Sequence, residues 1–441
     1  MIIYVFLKCT SICAQQFVVK GKPIKDYNTP IAQDSILIEV NNLPQMINAS
    51  FGLTRVCFNI EHTRVSDLKI ELLSPDGTAI WLTNRNGKDD GADYVNTCFR
   101  SNGFQGYIHK GTAPFVGEYI PDGRMTFINN GQNPNGKWYL LVSDLKAGSI
   151  GKVHYVSLDF SENPMPNLDK GGCSVESPEL CKVNPNIKDG QLLPDLVMLP
   201  SFTKNQIKEY AQNDIFYPGQ LRLAATIANI GDGPMEVLGK GEWFNEKGEK
   251  VDSLYVDPNG HESRQTLYQR IYRKTPEGKL VVDDIKTGTN YFDNKPGHNH
   301  YHVDDWVKFR LVQKKVNKKG KELSRKIIKE GSKVSYCLWD TGICNSADSV
   351  CFVDGKFWGN STLPNYGLGG FNSCKSYSQG ISVGGYDTYG MMYEGQFLTL
   401  PKGLKNGKYW IEIEIDPSNK YKESNENNNI LSLPIWLTKQ E

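Results

Sequence analysis

An excess of charge of either sign is missing from this 441-residue chain: 50 basic residues stand against 49 acidic ones, leaving a formal net charge of +1. That balance gives no global electrostatic basis for binding nucleic acid or an anionic membrane, so a charged partner would have to be recognised locally. Beyond the first residues no apolar stretch approaches the length that spans a bilayer, and no membrane span is expected. Histidine is scarce, at seven residues. Long helical periodicity is also missing: apolar runs are short and alternating, Gly (42) and Pro (22) are plentiful, and aromatics reach 11%. That pattern favours strands separated by turns, hence an all-β protein, and the length suits two or three domains each burying its own core.

The N-terminus, Met1–Leu7, is a short apolar run followed by Lys8 and by Ser11-Ile-Cys-Ala14. It reads as the end of a truncated signal peptide (1–14) cleaved after Ala14, although the basic n-region of such signals is missing and Ile12 before Cys13 fits a lipoprotein signal poorly. Cleavage would remove Cys9 and Cys13 and leave eight cysteines in local pairs, 57 with 98, 173 with 181, 337 with 344, and 351 with 374. Disulfides in an oxidising compartment fit an even, clustered count, and the expected location is secreted or cell-envelope. None of the pairs is a C-x-x-C, which weakens the zinc alternative, and connectivity stays open.

Three of the seven histidines fall at strict two-residue spacing in Gly297-His298-Asn299-His300-Tyr301-His302. Val307-Lys-Phe-Arg-Leu311 then alternates apolar and polar residues, so the histidines are expected to run into a β-strand. All three imidazoles would share one face with Cα atoms roughly 6.5–7 Å apart. Such a set suits copper, zinc, iron or nickel. The bland alternative is a polar strand face, with Asp304 and Asp305 as surface charges.

From 35 to 162 the chain reads as strand, tight turn, strand, with Ser74-Pro75-Asp76-Gly77 turning the hairpin Leu68–Leu82. Together with His62-Thr63, Asp67-Leu68, Asn84-Arg-Asn-Gly87, the Pro114-Phe-x-Gly-x-Tyr119 element, Gly136-Lys-Trp138 and Ser157-Leu-Asp-Phe160, this segment resembles the P domain of proprotein convertases. The resemblance implies a β jelly roll that accompanies a secreted catalytic domain and serves stability or attachment, for example to an extracellular polymer or protein. No Gly-x-Ser-x-Gly elbow and no convincing Asp, His, Ser set accompanies it, so convertase activity does not transfer. Asp89, Asp90 and Asp93 are either calcium ligands or solvated loop charges. Residues 163–191, rich in Pro, Asn, Gly and Lys, read as a linker with a small Cys173–Cys181 loop, and a β-sandwich-type domain with long loops is expected over 192–438. The basic run Lys314–Lys329 between two strands reads as a solvated hairpin or as a dock for an acidic partner.

Downstream of the histidines come Gly331-Ser-Lys333, Cys337-Leu-Trp-Asp340-Thr341-Gly-Ile-Cys344, Cys374-Lys-Ser-Tyr and Gly385-Tyr-Asp387-Thr-Tyr389-Gly. Singly each is ordinary, and Lys333 would pass for a surface lysine. In this order after His-x-His-x-His they resemble the catalytic domain of lysyl oxidases. The resemblance implies copper on His298, His300 and His302, and a lysine tyrosylquinone cofactor made from Lys333 and Tyr389. It implies oxidative deamination of a primary amine, peptidyl lysine or a small amine, by dioxygen to an aldehyde, hydrogen peroxide and ammonia. Asp387, two residues from Tyr389, is the candidate base; ordering the turn is its alternative role. A calcium site implied by the family maps onto Asp195, the Leu196 carbonyl, Glu423, Asn425, Asn428 and Asn429, with an ion-free Asn-rich turn as the alternative.

This chain departs from the animal enzymes in places. Gly297 stands where they carry cysteine, which leaves Cys374 to find another mate, Cys351 being the expected one. Gly385 and Gly395 replace the cysteine pair that brackets the quinone tyrosine. Thr362-Leu-Pro-Asn-Tyr366 matches the topaquinone core of other copper amine oxidases, but Gly367 follows it and the histidines lie upstream, so a simple turn is expected there. Two other function classes remain compatible with the sequence: a non-catalytic secreted β-sandwich that binds copper or another ligand, and a zinc hydrolase with water at the open position.

Overall fold

The computed structural model describes residues 14–27, 33–87, 91–164, 172–294, 298–318, 321–346 and 350–440; the side chains of Lys188 and Lys333 lie outside the described part. The expected signal segment up to Cys13, Asp89, Asp90 and Gly297 also lie outside it. Contacts divide the chain into two compact units, Met1–Asn167 and Leu168–Glu441. Both are built almost entirely of strands, and Pro200–Asn205 is the one α-helix among the described residues.

In the first unit, Gln15–Lys20, Gly151–Glu162, Phe51–His62, Tyr94–Phe99 and Gly117–Tyr119 lie in that order in one sheet, with Pro23–Ile24 beside Gly151–Glu162. Gln33–Val40, Gly136–Asp144, Leu68–Leu73 and Ala79–Asn84 make a second. The period-two pattern explains the packing: along Gln33–Val40 every second side chain is buried, so one face of the strand is apolar and the other meets water. The apolar faces share a core that includes Ile38, Phe58, Phe99, Leu140 and Phe160. Trp138 is fully buried in it, edge-on to Phe160 at 5.5 Å between ring centroids, and its Nε1–H donates to the Pro134 carbonyl at 2.8 Å. Gly77 closes the predicted hairpin turn at φ 87°, where a side chain would strain the backbone.

The second unit holds a nine-stranded sheet whose main path is Gln379–Ile381, Met235–Phe244, Arg264–Lys274, Leu280–Asp293, His300–Val316, Gly407–Ile415 and Ile430–Leu437. Glu322–Tyr336 pairs with His300–Val316 as the other arm of the basic hairpin. Two of its basic residues are neutralised: Lys314 lies 2.8 Å from Glu412 and 3.0 Å from Glu322, and Arg325 also pairs with Glu412. A four-stranded sheet, Leu196–Met198, Ala225–Asn229, Gly385–Tyr389 and Gly342–Ile343, carries the tyrosine motif. The segment after Cys173 is tied to this unit, with Lys274 Nζ donating to the Cys181 carbonyl at 2.8 Å.

Four disulfides form: Cys57–Cys98, Cys173–Cys181, Cys337–Cys374 and Cys344–Cys351. The expected pairs 337 with 344 and 351 with 374 are therefore corrected. Strand pairing, not proximity in sequence, decides the outcome. Val303 pairs with Tyr336, which brings Cys337 to the start of the histidine strand, and there Tyr301 N–H donates to the Cys374 carbonyl at 3.3 Å. Cys344 and Cys351 then close the short loop between them.

Because Trp138 fills its site completely, Trp138→Ala should cost about 3–5 kcal/mol. Urea unfolding of the full chain should show the transition of the first unit moved and that of the second unchanged. A cost below about 1 kcal/mol would contradict the packing described.

Candidate metal centre and its tyrosines

His300–Val316 is the strand that positions the site. Its first residues pair with Leu280–Asp293, His300 opposite Asp293 and Val303 opposite Asn290. Its register with Glu322–Tyr336 then shifts between Val303 and Val307, and Asp305 takes φ 60°. Asp and Asn tolerate that left-handed conformation better than most residues, and such an irregularity re-aims side chains. Asp304 is consequently not a surface charge: it lies 3.0 Å from Arg264 Nε and accepts from Thr289 Oγ1 at 2.7 Å, while burial pushes its carboxyl up. Asp305 faces Lys420 Nζ at 3.3 Å.

The expectation of three histidines along one strand needs correction. Only His300 and His302 belong to the strand; His298 precedes it, and Asn299 between them turns at φ 59° with its N–H on the Asp293 carbonyl at 2.8 Å. The turn brings His298 back toward the other two. Ring centroids lie 4.6 Å apart for His298 and His302, 4.8 Å for His300 and His302, and 5.7 Å for His298 and His300. His302 and His300 present Nε2 to Nε2 at 2.9 Å, about the separation of two nitrogens that bind one ion at ~2.0 Å and a right angle.

Asp293, which sequence reasoning missed, organises the cluster. Its Oδ2 lies 2.7 Å from His298 Nδ1 and 3.4 Å from His302 Nδ1. A carboxylate only accepts, so His298 carries its proton on Nδ1 and turns the lone pair of Nε2 outward. That Nε2 is buried and has no hydrogen-bond partner. An orphaned basic nitrogen beside a second imidazole is what a metal would satisfy, and a carboxylate behind a ligating histidine is its usual support. One ligand atom each of Asp293, His298 and His302 lie within 4.8 Å of one another, a donor set that fits a transition metal, whereas His300 falls at that range with Cys337 and Cys374 instead. The sequence signal for Asp293 is its place at the end of a strand, five residues before His298. A pocket of about 350 Å³ opens here, lined by Tyr291, Asp293, His298, His302 and, among others, Glu394 and Phe397.

Tyr389 ends the strand Gly385–Tyr389. Its ring stacks on Tyr336 at 3.8 Å and 8°, and lies 6.3 Å from the His302 ring. Its hydroxyl accepts from Cys337 N–H at 2.7 Å. Tyr389 is 5% exposed. Burial first, and the nearby Asp387, raise its phenol well above the usual range. Asp387 shares its face of the strand by period-two alternation. Both carboxylate oxygens of Asp387 are buried without a hydrogen-bond partner, and burial together with Asp340 raises its pKa well above the usual carboxylate range. Lys333 sits in Glu322–Tyr336 opposite Lys308, three residues before Tyr336; its side chain lies outside the described part.

The second predicted cluster also assembles in large part. Glu423 accepts from Leu196 N–H at 2.6 Å and from Asn429 Nδ2 at 2.8 Å, and Asn428 Nδ2 donates to Asp195 at 2.7 Å. The Oδ1 atoms of Asn428 and Asn429 are buried and unpartnered, as hard-oxygen calcium ligands would be without their ion. Leu196, expected to offer its carbonyl, also meets Glu423 through its N–H. Asn425 is exposed and caps Asn427 N–H at 3.1 Å. The Thr362–Tyr366 decoy is a structural turn: Asn365 bridges Lys182 and Asp232 through three 2.7 Å hydrogen bonds.

The fold and the site define the class: an all-β chain in which a carboxylate-supported imidazole cluster lies beside a buried tyrosine. More particularly, residues 285–441 match the lysyl oxidase family model and residues 53–113 the proprotein convertase P-domain model. The chain is 27% identical over 142 residues to human protein-lysine 6-oxidase, covering 32% of this chain and 27% of that protein. It is 23% identical over 344 residues to human lysyl oxidase homolog 1, covering 75% and 49%, and 29% identical over 294 residues to the Bos taurus homolog 1, covering 64% and 39%. The matches thus span between a quarter and a half of these relatives' own length. A crystal structure of Aeromonas sobria serine protease is 17% identical, covering 34% of this chain and 26% of that one, at a TM-score of 0.18, which carries no argument.

Burial raises Glu423 to about 9. From roughly its ordinary value of 4.5 up to 9 the folded chain holds a proton that the unfolded chain has lost, so stability falls as pH rises through that window. In chelator, Glu423→Gln should remove much of that fall in thermal unfolding of the second unit. An unchanged pH slope would contradict the burial of this carboxyl.

Proposed function

We propose that the second unit is a copper-dependent, quinone-containing amine oxidase acting on primary amines, peptidyl lysine or small amines, with dioxygen as co-substrate. The observation that carries the reading is the buried, unpartnered Nε2 of His298, held in place by Asp293 beside His302. Copper on His298, His300 and His302, with a lysine tyrosylquinone from Lys333 and Tyr389, would supply the electrophile and the electron acceptor for oxidative deamination to aldehyde, ammonia and hydrogen peroxide.

The chain's own residues do the positioning. Asp293 fixes the tautomer of His298. Tyr336 holds the plane of the Tyr389 ring, and Cys337 N–H holds its hydroxyl oxygen. Asp387 is the base that takes a proton from the substrate α-carbon, and its burial raises its pKa above the ordinary carboxylate range. Asp195, Glu423, Asn428 and Asn429 hold calcium and tie the start of the domain to its end. The four disulfides support a secreted or cell-envelope location, and the first unit is assigned to attachment to an extracellular polymer or protein. No helix among the described residues is long and apolar enough to cross a membrane.

Copper binding without catalysis is the competing reading, and the burial of Tyr389 favours it. The test is amine-dependent hydrogen peroxide release by copper-loaded protein. Lys333→Met and Tyr389→Phe should each abolish it while copper content is unchanged. Turnover retained in either variant would overturn the cofactor assignment.

A further inference from the structure

The disulfide that departed from expectation lies against the metal centre. One ring nitrogen of His300 and the sulfurs of Cys337 and Cys374 lie within 4.8 Å of one another. Cys337 is fully buried, whereas His300 and Cys374 are half-buried. The same Cys337 donates its N–H to Tyr389 at 2.7 Å, and Tyr301 N–H reaches the Cys374 carbonyl at 3.3 Å. Among the described residues none of the other three disulfides forms such a cluster with an imidazole.

We propose that opening Cys337–Cys374 creates a second metal site, two thiolates and the His300 imidazole, that takes monovalent copper in competition with the three-histidine centre. The competition rests on the copper reading given above. Thiolate sulfur is a soft ligand and selects copper(I), whereas imidazoles alone also suit copper(II), zinc and nickel. Because both sites use His300, one ion can occupy only one of them. The oxidation state of this cysteine pair thus decides which ligands the ion has.

The electrons come from a dithiol. It attacks the Cys337–Cys374 bond by thiol–disulfide exchange, closes to its own cyclic disulfide, and leaves two cysteine thiols in which both electrons and both protons are accounted for. Each thiol then loses its proton on binding copper(I).

The test is anaerobic copper(I) competition against a chromophoric chelator, on the full chain before and after dithiol reduction. It compares wild type with the double variant Cys337→Ser, Cys374→Ser and with His300→Ala, and alkylation maps the open cysteines. Reduced wild type should bind copper(I) at least about tenfold more tightly than the reduced double variant, the least that losing a ligand's support costs a metal site. X-ray absorption should show sulfur ligands in reduced wild type, and His300→Ala should lose most of the gain with both thiols present. Equal affinity of reduced wild type and double variant would overturn the inference, as would an unaffected His300→Ala, or a Cys337–Cys374 bond that stays closed while the other three open. His300→Ala keeps all eight described cysteines and decides the question if the double variant does not fold. Copper(II) binding by the oxidised chain is measured in parallel. Its absence would overturn the three-histidine reading, while its presence without a gain on reduction would overturn only the inference made here.

Discussion

The hydrogen bond between Asp293 and His298 is the constraint on which the candidate site depends. A carboxylate this deeply buried is stable only when paired, and here it takes one imidazole at 2.7 Å and a second at 3.4 Å. The bond has two consequences. It fixes the proton of His298 on Nδ1, and it converts a loop residue lying outside the strand into a partner of His302. The sheet supplies the rest, since pairing of His300 with Asp293 sets both ends of the turn in place. Without that register the left-handed Asn299 would carry His298 away from the cluster.

Tyrosine positioning rests on a different device. The family resemblance implied a cysteine pair around Tyr389, and this chain has Gly385 and Gly395 there instead. Buried Asp340 occupies the space: a Cβ at position 385 would collide with its Oδ1. Asp340 accepts from the backbone of Ser382 at 2.8 Å, from its hydroxyl at 2.5 Å, and from Phe371 N–H at 3.1 Å. A satisfied carboxylate thus does at this point what a covalent staple does elsewhere, with stacking on Tyr336 completing the frame. The Cys337–Cys374 bond, placed between His300 and Tyr389, links the two halves of the site.

The all-β character and the hairpin at Ser74–Gly77 were legible because period-two alternation and turn chemistry are local properties. The histidine motif stood out as a candidate ligand set for the same reason, three imidazoles falling within five residues. What could not be read was geometry set by distant partners. Asn299 in a left-handed turn breaks the strand that alternation alone predicts. Asp293 drew no attention in the sequence, and its role appears only once two strands are paired. Cysteine connectivity failed similarly, because 337 and 374 meet on the histidine strand, which is far from both in sequence: Val303 pairs with Tyr336, and Tyr301 N–H reaches the Cys374 carbonyl. Asp387 was picked out by its spacing from Tyr389, but the upward shift of its pKa follows from burial, which spacing does not report.

The central claim is that His298, His300 and His302 hold copper for a cofactor made from Lys333 and Tyr389. Its most direct test is the visible spectrum of copper-loaded, aerobically matured protein before and after phenylhydrazine, followed by mass mapping of the Lys333 and Tyr389 peptides. The account predicts a hydrazone band and a Lys333–Tyr389 crosslink. Full copper occupancy with no band and both peptides unmodified would contradict it and leave a copper-binding protein.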